Sequence, residues 1–354
     1  MSRTYRIAVI GGDGIGPEVT AAALHVLDAA ERRFTFTTER TAVPWSAQRY
    51  ASGLRVTPEM IAPLAKHDAI LMGAIGHPDA PRGLPEQEII FGLRRGLDLY
   101  VNLRPIVLYD DRLTPLRNKT AKDVDFVVVR ENTEDVYGRP IIKSGDGTAD
   151  ETVTSEMIFT KRGTERIVRY AFELARTRPR KKLTLVDKSN ALRLQEIYRR
   201  AMDEVGKDFP DVATDAMYVD AASMWMVLRP EQFDVIVTTN LFGDIITDLG
   251  AAIVGGLGSG ASGNIHPGKV SLFEPIHGSA PKYTGQGVAS PVGAIGAVAL
   301  MLEHLGERDA GKAIDDAVRT GFRSGRIKGL DAGQQRTNEV ADLVAEAVAA
   351  AGAH

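Results

Sequence analysis

The stretch Val237–Gly258, VTTNLFGDIITDLGAAIVGGLG, joins a short buried strand to a helix that carries two carboxylates. The β-branched run Asp234–Thr239 predicts the strand, and a helical pattern follows Asn240. Asp244 and Asp248 are four residues apart, so a helix places both on one face, where they repel each other unless a cation lies between them. Two exposed surface acids are one interpretation. The apolar residues around the pair favour the other, a hard divalent cation such as Mg²⁺ or Mn²⁺ held by oxygen ligands.

Length and composition are those of a globular protein. The chain has 354 residues, 44% hydrophobic and 25% charged, which suits two domains or one large one. A net charge of -3 gives no basic field for nucleic acid, and the absence of cysteine excludes disulfides and thiolate chemistry. The N-terminal sequence lacks the apolar core of a signal peptide, and no apolar helix reaches the roughly 20 residues that span a bilayer. We therefore expect a cytoplasmic protein that binds neither nucleic acid nor membrane.

Strand and helix patterns alternate along nearly the whole chain, which predicts an α/β fold. The strand RIAVIG (residues 6–11) leads into a glycine-rich turn and an amphipathic helix. Glu39 closes the next predicted strand, where a ribose-binding acid would stand in a dinucleotide-binding fold. The glycine spacing of that motif is not met, however, because Pro17 stands where the third glycine belongs. We interpret the turn as a tight strand-to-helix connection near a ligand.

Three arginines lie at the borders of apolar segments. Arg94 is on a helix predicted over Leu84–Leu99, Arg104 follows in YVNLRP, and Arg130 comes directly after the predicted strand Asp125–Val129. Taken singly, each is interpreted as a surface or ion-paired arginine. Together they predict a site for a small substrate with more than one carboxylate, because a guanidinium matches a carboxylate with two parallel hydrogen bonds.

Polar residues follow other predicted strands. Lys188 and Asn190 come after one strand, and Asp220 comes after another, before an apolar helix. On its own, Lys188 is interpreted as a solvated lysine. Near the C-terminus, the loop FEPIHGSAPKYTGQGVASP leads into a helix from Pro291, and a helix N-terminus behind such a loop suits a phosphate.

Six segments stand in order along the chain: GGDGIGPE, LDLYVNLRP, VVVRENTE, VDKSN, NLFGDIITD and FEPIHGSAP. This set resembles the β-decarboxylating dehydrogenases, which act on 3-isopropylmalate, isocitrate, homoisocitrate and D-malate or tartrate. The resemblance implies an α/β fold of two domains around a central cleft, distinct from the Rossmann fold. Residues 1–100 and 252–354 would form the cofactor-side domain, and residues 101–251 the dimerisation domain. It also implies a homodimer with shared active sites, and a higher oligomer is left open.

The resemblance assigns roles to individual residues. It implies that the metal ligands are Asp220, Asp244 and Asp248, and that the substrate carboxylates are bound by Arg94, Arg104 and Arg130. It implies that the proton-transfer groups are Tyr137 and Lys188, with Lys188 and Asp220 reaching into the partner subunit's site. The implied cofactor contacts are Ile75, Asn190, Glu274, His277, Gly278, Ser279, Ala280, Lys282, Tyr283 and Ala289.

The residues before Arg94 bear on the substrate. Ile90 and Phe91 are apolar, as in isopropylmalate enzymes, and suit a branched alkyl group on C3. Glu88 and Ile90 stand where isocitrate enzymes typically have Ser and Asn, which argues against isocitrate. Asp135 replaces the family's commoner glycine, and the segment FTKRGTERIVRYAFELARTRPRK resembles the D-malate/tartrate branch.

We rank 3-isopropylmalate first, D-malate or tartrate second, and another 3-substituted malate third. A catalytically silent regulatory paralogue, or a metal-binding module of unrelated role, ranks below these. A silent paralogue is expected to lose an aspartate, the lysine or the tyrosine, and all of them are present.

The residues after HGSAP bear on the cofactor. NAD-using members usually have an aspartate there, whereas this chain has Lys282 and Tyr283, as in NADP-using isocitrate dehydrogenases. Both side chains can donate hydrogen bonds to a 2′-phosphate. Ala289, by contrast, is the residue type of NAD enzymes. The segment QRTNEVAD also lacks the further tyrosine and arginine expected of a strong NADP site, although Arg336 is close. We expect NAD or NADP, with NADP slightly favoured.

Overall fold

Twelve strands are formed within residues 3–352, the part of the chain that this computed structural model describes. They are β1 (Arg3–Gly12), β2 (Phe36–Ala42), β3 (Ala69–Ala74), β4 (Val101–Val107), β5 (Asp125–Glu131), β6 (Ile142–Ser144), β7 (Thr152–Thr154), β8 (Lys182–Asp187), β9 (Ala213–Tyr218), β10 (Val235–Thr238), β11 (Ala261–Ile265) and β12 (Ser271–Pro275). Ten of them form one sheet in the order β2-β1-β3-β12-β11-β4-β5-β10-β8-β9, and β6 and β7 form a separate antiparallel ribbon.

Ten α-helices connect and cover these strands within the same residues. They are α1 (Gly16–Phe34), α2 (Pro58–Ile61), α3 (Phe91–Gly96), α4 (Lys161–Thr177), α5 (Glu196–Gly206), α6 (Val219–Leu228), α7 (Asn240–Ile253), α8 (Val292–His304), α9 (Arg308–Arg323) and α10 (Thr337–Ala350). A π-helical turn, Glu86–Ile90, runs directly into α3. No helix between residues 3 and 352 is long and apolar enough to cross a membrane.

The sheet contains two parallel groups that run in opposite directions. Strands β2, β1, β3 and β12 are parallel to one another, and so are β5, β10, β8 and β9. Between the groups, β11 and β4 are antiparallel to their neighbours on both sides. The predicted division of the chain at residues 101 and 251 falls close to this change of direction, and it stays a prediction.

Alternate side chains of the strands point to opposite faces of the sheet, so each strand contributes to two cores. On one face, Ile7, Leu185 and Phe273 pack with α1, α4, α5 and α8 to α10 in one continuous apolar cluster. The other face carries two separate clusters. Met72 packs with the segment of α2 and α3, and Ile236 packs with α6 and α7.

Most of the predicted elements agree with the structure. The predicted strand before Asn240 is β10, and α7 follows it at once. The helix predicted over Leu84–Leu99 is wrong at its C-terminal end, because α3 stops at Gly96 and Asp98 takes a left-handed φ of 50° that ends the helix. Glu39 does not close its strand either: β2 continues to Ala42 and leaves Glu39 exposed.

The first glycine-rich turn is held against two other loops. The carboxylate of Asp13 accepts hydrogen bonds from the backbone N–H groups of Ala47, Gln48 and Gly76, at 2.6, 2.9 and 3.1 Å. Gly14 has a φ of 60°, and a side chain there would collide with the carbonyl oxygen of Ser279. The turn therefore packs directly on the loop after β12, where the sequence places the cofactor.

Candidate active site

Three arginines are buried together beside the centre of the sheet. Arg104 is on β4 and Arg130 on the adjacent β5, while Arg94 is on α3. Their exposed fractions are only 7% for Arg94, 8% for Arg104 and 1% for Arg130. Burial, followed by repulsion from Arg130, lowers the pKa of both Arg94 and Arg104 to about 10, so both remain cationic at neutral pH.

Arg130 is fixed against the N-terminal half of α7. Its Nε and Nη2 donate to Oδ1 of Asn240 at 3.0 and 2.7 Å, and its Nη1 pairs with Oδ1 of Asp244. The side chain crosses the helix at Gly243, where a Cβ atom would collide with its aliphatic carbons. The helix and the arginine can approach this closely only because residue 243 is glycine.

Arg104 contacts the same helix. Its Nη1 donates to Oγ1 of Thr247 at 2.6 Å and lies 3.9 Å from Oδ1 of Asp248, while Nη2 lies 3.6 Å from Oδ1 of Asp244. The Nε atoms of Arg94 and Arg104 are buried without a hydrogen-bond partner. Two buried cationic groups therefore have unused donors beside Asp244 and Asp248.

The two carboxylates of α7 differ in their electrostatic surroundings. Burial raises the pKa of Asp244, but Arg130 and Arg104 outweigh it, so the net pKa is below the ordinary value. Burial raises the pKa of Asp248. The positive charge of Arg104 opposes this effect only in part, so the net pKa is above the ordinary value. The side chains of Asp244 and Asp248 are 42% and 65% exposed, so both carboxylates remain accessible from solvent.

A divalent cation fits these oxygen ligands, but one chain does not complete its site. Asp244 and Asp248 lie on one helix face, as the four-residue spacing predicts. No three acidic or histidine side chains among residues 3–352 form a group that could hold a metal. Asp220, the third ligand implied by the sequence, pairs instead with Lys188.

Lys188 and Asp220 form a second polar cluster at the ends of β8 and β9. Lys188 Nζ lies 2.8 Å from Asp220 Oδ1 and 5.8 Å from the ring centroid of Tyr218. The hydrogen bond from Lys188 lowers the pKa of Asp220. Asn190 is exposed in the turn that follows β8. The structure therefore places the predicted lysine beside one predicted metal ligand.

Tyr137 belongs to the arginine cluster. Its hydroxyl donates a hydrogen bond of 2.9 Å to Asp244 Oδ2, and the Arg130 guanidinium lies 5.5 Å from its ring centroid. Burial and then the negative charge of Asp244 raise the pKa of Tyr137 to about 12. The phenol is therefore protonated at neutral pH.

Apolar residues border this cluster on the side of α3. The Phe91 ring lies 5.6 Å from the Tyr137 ring and 5.7 Å from the Arg94 guanidinium, measured from ring centroids. Ile90 is half-buried and packs with the core beneath α3. Glu88 points elsewhere, because its carboxylate binds Arg55 and accepts the Val56 N–H at 3.0 Å.

A cluster of buried amides holds Glu274 beside Arg94. Asn264 accepts hydrogen bonds from Asn102 and Asn132 at 3.0 and 2.9 Å and donates to Glu274 Oε1 at 2.8 Å. The same Glu274 oxygen lies 3.9 Å from Arg94 Nη2. Glu274 is thus held between the arginine cluster and the loop that follows β12.

The loop after β12 presents polar groups with unused capacity. His277 Nδ1 is 3.0 Å from the Gly278 carbonyl, whereas its buried Nε2 has no partner. Burial lowers the pKa of His277, which favours the neutral ring. Ser279 is buried, and Ala280 has a φ of 41°. An orphaned ring nitrogen on a strained loop fits the hydroxyl-rich ligand expected there.

The other residues predicted to contact the cofactor differ in exposure. Lys282 is exposed, with Nζ 4.6 Å from the ring centroid of the half-buried Tyr283. Ala289 is buried, and its carbonyl accepts from Thr337 Oγ1 at 2.6 Å. Ile75 is half-buried in the turn after β3.

Several residues that shape the site were not predicted as site residues. Asn240 and Thr247 orient the arginines, and Asn102 and Asn264 hold Glu274. Two sequence patterns could have indicated these residues. One is an amide within an otherwise apolar strand, as in YVNLRP, and the other is a hydroxyl one residue before a helix carboxylate. Either pattern shows that a polar residue is buried but does not name its partner.

Known proteins match nearly the whole of this chain. A family model described as isocitrate/isopropylmalate dehydrogenase matches residues 6–347. The 3-isopropylmalate dehydrogenase of Thermobifida fusca (strain YX) is 46% identical over 99% of this chain and 99% of its own. The 3-isopropylmalate dehydrogenase of Beutenbergia cavernae is 48% identical over 99% of this chain and 100% of its own. The crystal structure of isocitrate dehydrogenase from Methylococcus capsulatus has a TM-score of 0.85 and 36% identity, covering 97% of this chain and 99% of that one.

Proposed function

This chain belongs to the isocitrate/isopropylmalate dehydrogenase family, and on that premise we propose that it oxidatively decarboxylates 3-isopropylmalate. The observation that carries the proposal is the buried group of Arg94, Arg104 and Arg130 around the accessible carboxylate of Asp244. Three buried guanidinium groups, of which Arg94 and Arg104 each have an Nε donor without a partner, suit a substrate that brings two carboxylates of its own.

The apolar border of the site supports the alkyl-substituted substrate. Phe91 lies between Tyr137 and Arg94, so a branch on C3 would be covered by its ring. Position 88, where a hydroxyl could bind a third carboxylate, is occupied by Glu88, and its carboxylate is bonded to Arg55. Asp135 and the segment FTKRGTERIVRYAFELARTRPRK depart from the isopropylmalate pattern, so D-malate or tartrate stays the second candidate and another 3-substituted malate the third.

The family implies a nicotinamide dinucleotide and a divalent metal. Asp244 and Asp248, with Asp220 of a second copy of the chain, would hold Mg²⁺ or Mn²⁺. A bound cation supplies Lewis acidity towards the substrate hydroxyl and the developing enolate charge. The chain's own residues supply the positioning and the proton transfers.

Arg94, Arg104 and Arg130 would bind the substrate carboxylates and orient C2, and a bound nicotinamide would supply the hydride acceptor. A base at Lys188 of a second copy, reached directly or through a bridging water, would accept the hydroxyl proton. The β-keto acid then loses CO₂, and the electron pair of the broken bond forms the enolate. Tyr137, whose pKa is raised to about 12, holds a proton at neutral pH and delivers it to C3.

The cofactor would lie on the loop after β12 and near the β1–α1 turn. Ile75, Glu274, His277, Ser279 and Asn190 would line its nicotinamide and ribose. Lys282 and Tyr283 favour NADP slightly over NAD, because both can donate to a 2′-phosphate. A cytoplasmic location stays a prediction of the sequence.

A homodimer would complete the site. The exposed face of α6 and α7 carries large apolar side chains: Met224, Val227, Leu228 and Ile245. Exposed apolar patches of this kind mark interfaces between proteins. Pairing of α6 and α7 between two copies would cover the patch, and Asp220, which lies on α6, would be carried with it.

A nicotinamide-absorbance assay tests the proposal. Purified protein with Mg²⁺ or Mn²⁺ and either cofactor is offered 3-isopropylmalate, D-malate, D-tartrate and isocitrate. We expect the highest kcat/KM for 3-isopropylmalate and a poor value for isocitrate. A higher kcat/KM for D-malate or tartrate would move the assignment to the second candidate, and no turnover with any of them would contradict the proposed function.

A further inference from the structure

Asp135 adopts a backbone conformation that residues with side chains rarely take. Its φ is 77°, and its side chain is completely buried. Glycine takes this left-handed conformation without strain, and among the other residues aspartate and asparagine tolerate it best. A strained residue that persists in a buried loop is held there by its contacts.

The carboxylate of Asp135 caps α7 from another segment of the chain. Its Oδ2 accepts the backbone N–H of Leu241, the second residue of α7, at 2.9 Å, and its Oδ1 accepts the N–H of Val136 at 2.9 Å. The helix's own N-cap residue, Thr239, makes no side-chain capping bond. An external carboxylate thus satisfies a free N–H at the positive end of α7.

The loop of Asp135 meets the same helix at two further points. Asn240 Nδ2 donates to the Glu134 carbonyl at 3.1 Å, and the Tyr137 hydroxyl donates to Asp244 at 2.9 Å. The backbone of Asp135 is held as well, since its N–H donates to Ile158 and its carbonyl accepts from Arg139, both at 3.0 Å. The capping bond lies two residues before Tyr137 and one helical turn before Asp244.

We propose that Asp135 is a positioning residue whose carboxylate locks the 134–137 loop onto α7 and so fixes the Tyr137 hydroxyl against Asp244. This inference rests on the proposed function, in which Tyr137 delivers the proton. Asp135 is itself buried within this loop and acts through Tyr137 alone.

Two variants separate the carboxylate from the backbone strain. Asp135→Gly removes the capping carboxylate. Glycine adopts the left-handed conformation without strain, so the loop can still fold. Asp135→Asn keeps an oxygen that accepts the Leu241 N–H and tolerates the same φ. We expect Asp135→Gly to lower kcat roughly tenfold with little change in KM, because misplacing a reacting group by about 1 Å can cost on the order of 100-fold. We expect Asp135→Asn to remain within about twofold of wild type. A loss in Asp135→Asn as large as in Asp135→Gly would overturn the inference.

A double-variant cycle tests whether Asp135 acts through Tyr137. In a Tyr137→Phe background the hydroxyl to be positioned is gone, so Asp135→Gly is expected to cause less than about a twofold further loss of kcat. A general structural defect would lower kcat by the same factor in both backgrounds. Equal factors would overturn the inference.

Hydrogen exchange supplies a readout that needs no substrate. Asp135→Gly should speed amide exchange in peptides covering residues 131–140 and 240–244, and Asp135→Asn should leave it close to wild type. Unchanged exchange in Asp135→Gly would overturn the positioning role. If exchange responds as expected but the wild-type protein turns over none of the malates, the proposed function fails while the positioning of the loop by Asp135 stands.

Discussion

Lys188 and Asp220 form an ion pair within one chain, with Nζ 2.8 Å from Oδ1. Tyr137 and Asp244 bond to each other instead, so the predicted proton-transfer groups and metal ligands fall into two separate pairs. Within residues 3–352 no third acid or histidine joins Asp244 and Asp248. This division of the site is what a homodimer with shared active sites requires.

Subunit mixing tests that arrangement. Lys188→Ala and Tyr137→Phe chains should each be nearly inactive alone, whereas a heterodimer has one site with both groups intact. After random exchange, half the dimers are mixed and each has one working site, so about a quarter of wild-type activity should return.

The control is a chain carrying both substitutions, which should restore nothing when mixed with either single variant. Verified subunit exchange without recovered activity, or a monomer with full activity, would contradict the shared site.

Removal of one carboxylate tests the metal requirement. Asp244→Asn should lower kcat/KM by at least about 100-fold and weaken Mg²⁺ or Mn²⁺ binding, because the cation loses a ligand. In this variant Arg130 keeps both hydrogen bonds to Asn240, so circular dichroism should show an intact fold. Asp316→Asn, in an exposed ion pair with Lys312 on α9, is the matched control and should leave activity unchanged. Full wild-type activity in excess chelator would refute the metal requirement.

The sequence predicted the elements and residue types of the site better than their contacts. The spacing of Asp244 and Asp248 placed both on one helix face, because helical periodicity is a local property. The burial of Arg94, Arg104 and Arg130 could not be predicted singly, since it depends on β4 pairing with β5 and on α7 crossing Arg130 at Gly243. Arg130 and Gly243 are more than 100 residues apart in the sequence, and no local pattern predicts a contact between them.

The same limit applies to the boundaries and to the capping contact. The helix predicted over Leu84–Leu99 is too long, because the left-handed position that ends it is occupied by Asp98 and not by a glycine. The sequence marks Asp135 as an acid in place of the family's commoner glycine, but its bond to Leu241 joins residues 106 positions apart.

Substrate preference should respond to Phe91. Burying an isopropyl group contributes about 0.8 kcal/mol for each of roughly three methylene-sized groups, or about 2.4 kcal/mol in all. Phe91→Ala should therefore lower kcat/KM for 3-isopropylmalate by about tenfold or more while changing that for D-malate much less. D-malate serves as the internal control, because it lacks the branch and binds the same arginines. Equal losses for both substrates would show that Phe91 supports Tyr137 and Arg94 and does not contact the branch.

His304 should make stability depend on pH. Its ring packs 5.5 Å from Phe273, and burial lowers its pKa below the ordinary 6.5. The unfolded chain therefore binds a proton more readily than the folded one, so this group lowers stability as pH falls below about 6.5. His304→Gln, which stays neutral, should show a smaller drop in Tm between pH 7.5 and 5.5 than wild type. Equal drops in both proteins would contradict the assignment.

Cofactor choice should depend on Lys282. The lysine is exposed on the loop after β12, with its ammonium 4.6 Å from the Tyr283 ring, and within residues 3–352 it forms no salt bridge. A 2′-phosphate would gain a charge-assisted hydrogen bond from Lys282 and a second donor from Tyr283. Arg336 is exposed at the start of α10 and donates to the Gln286 carbonyl at 3.4 Å, so it can add positive charge to the same region.

We expect kcat/KM for NADP to exceed that for NAD slightly in the wild type, and Lys282→Asp to reverse the order, since an acid repels the phosphate and accepts from the ribose hydroxyls. Lys282→Gln is the matched control: it removes the charge without adding repulsion and should bring the two cofactors close to equal. The measurement is kcat/KM for both cofactors at one salt concentration, because a single exposed charge is screened by salt. A wild-type preference for NAD of about tenfold, roughly 1.4 kcal/mol, would show that Lys282 does not bind a phosphate.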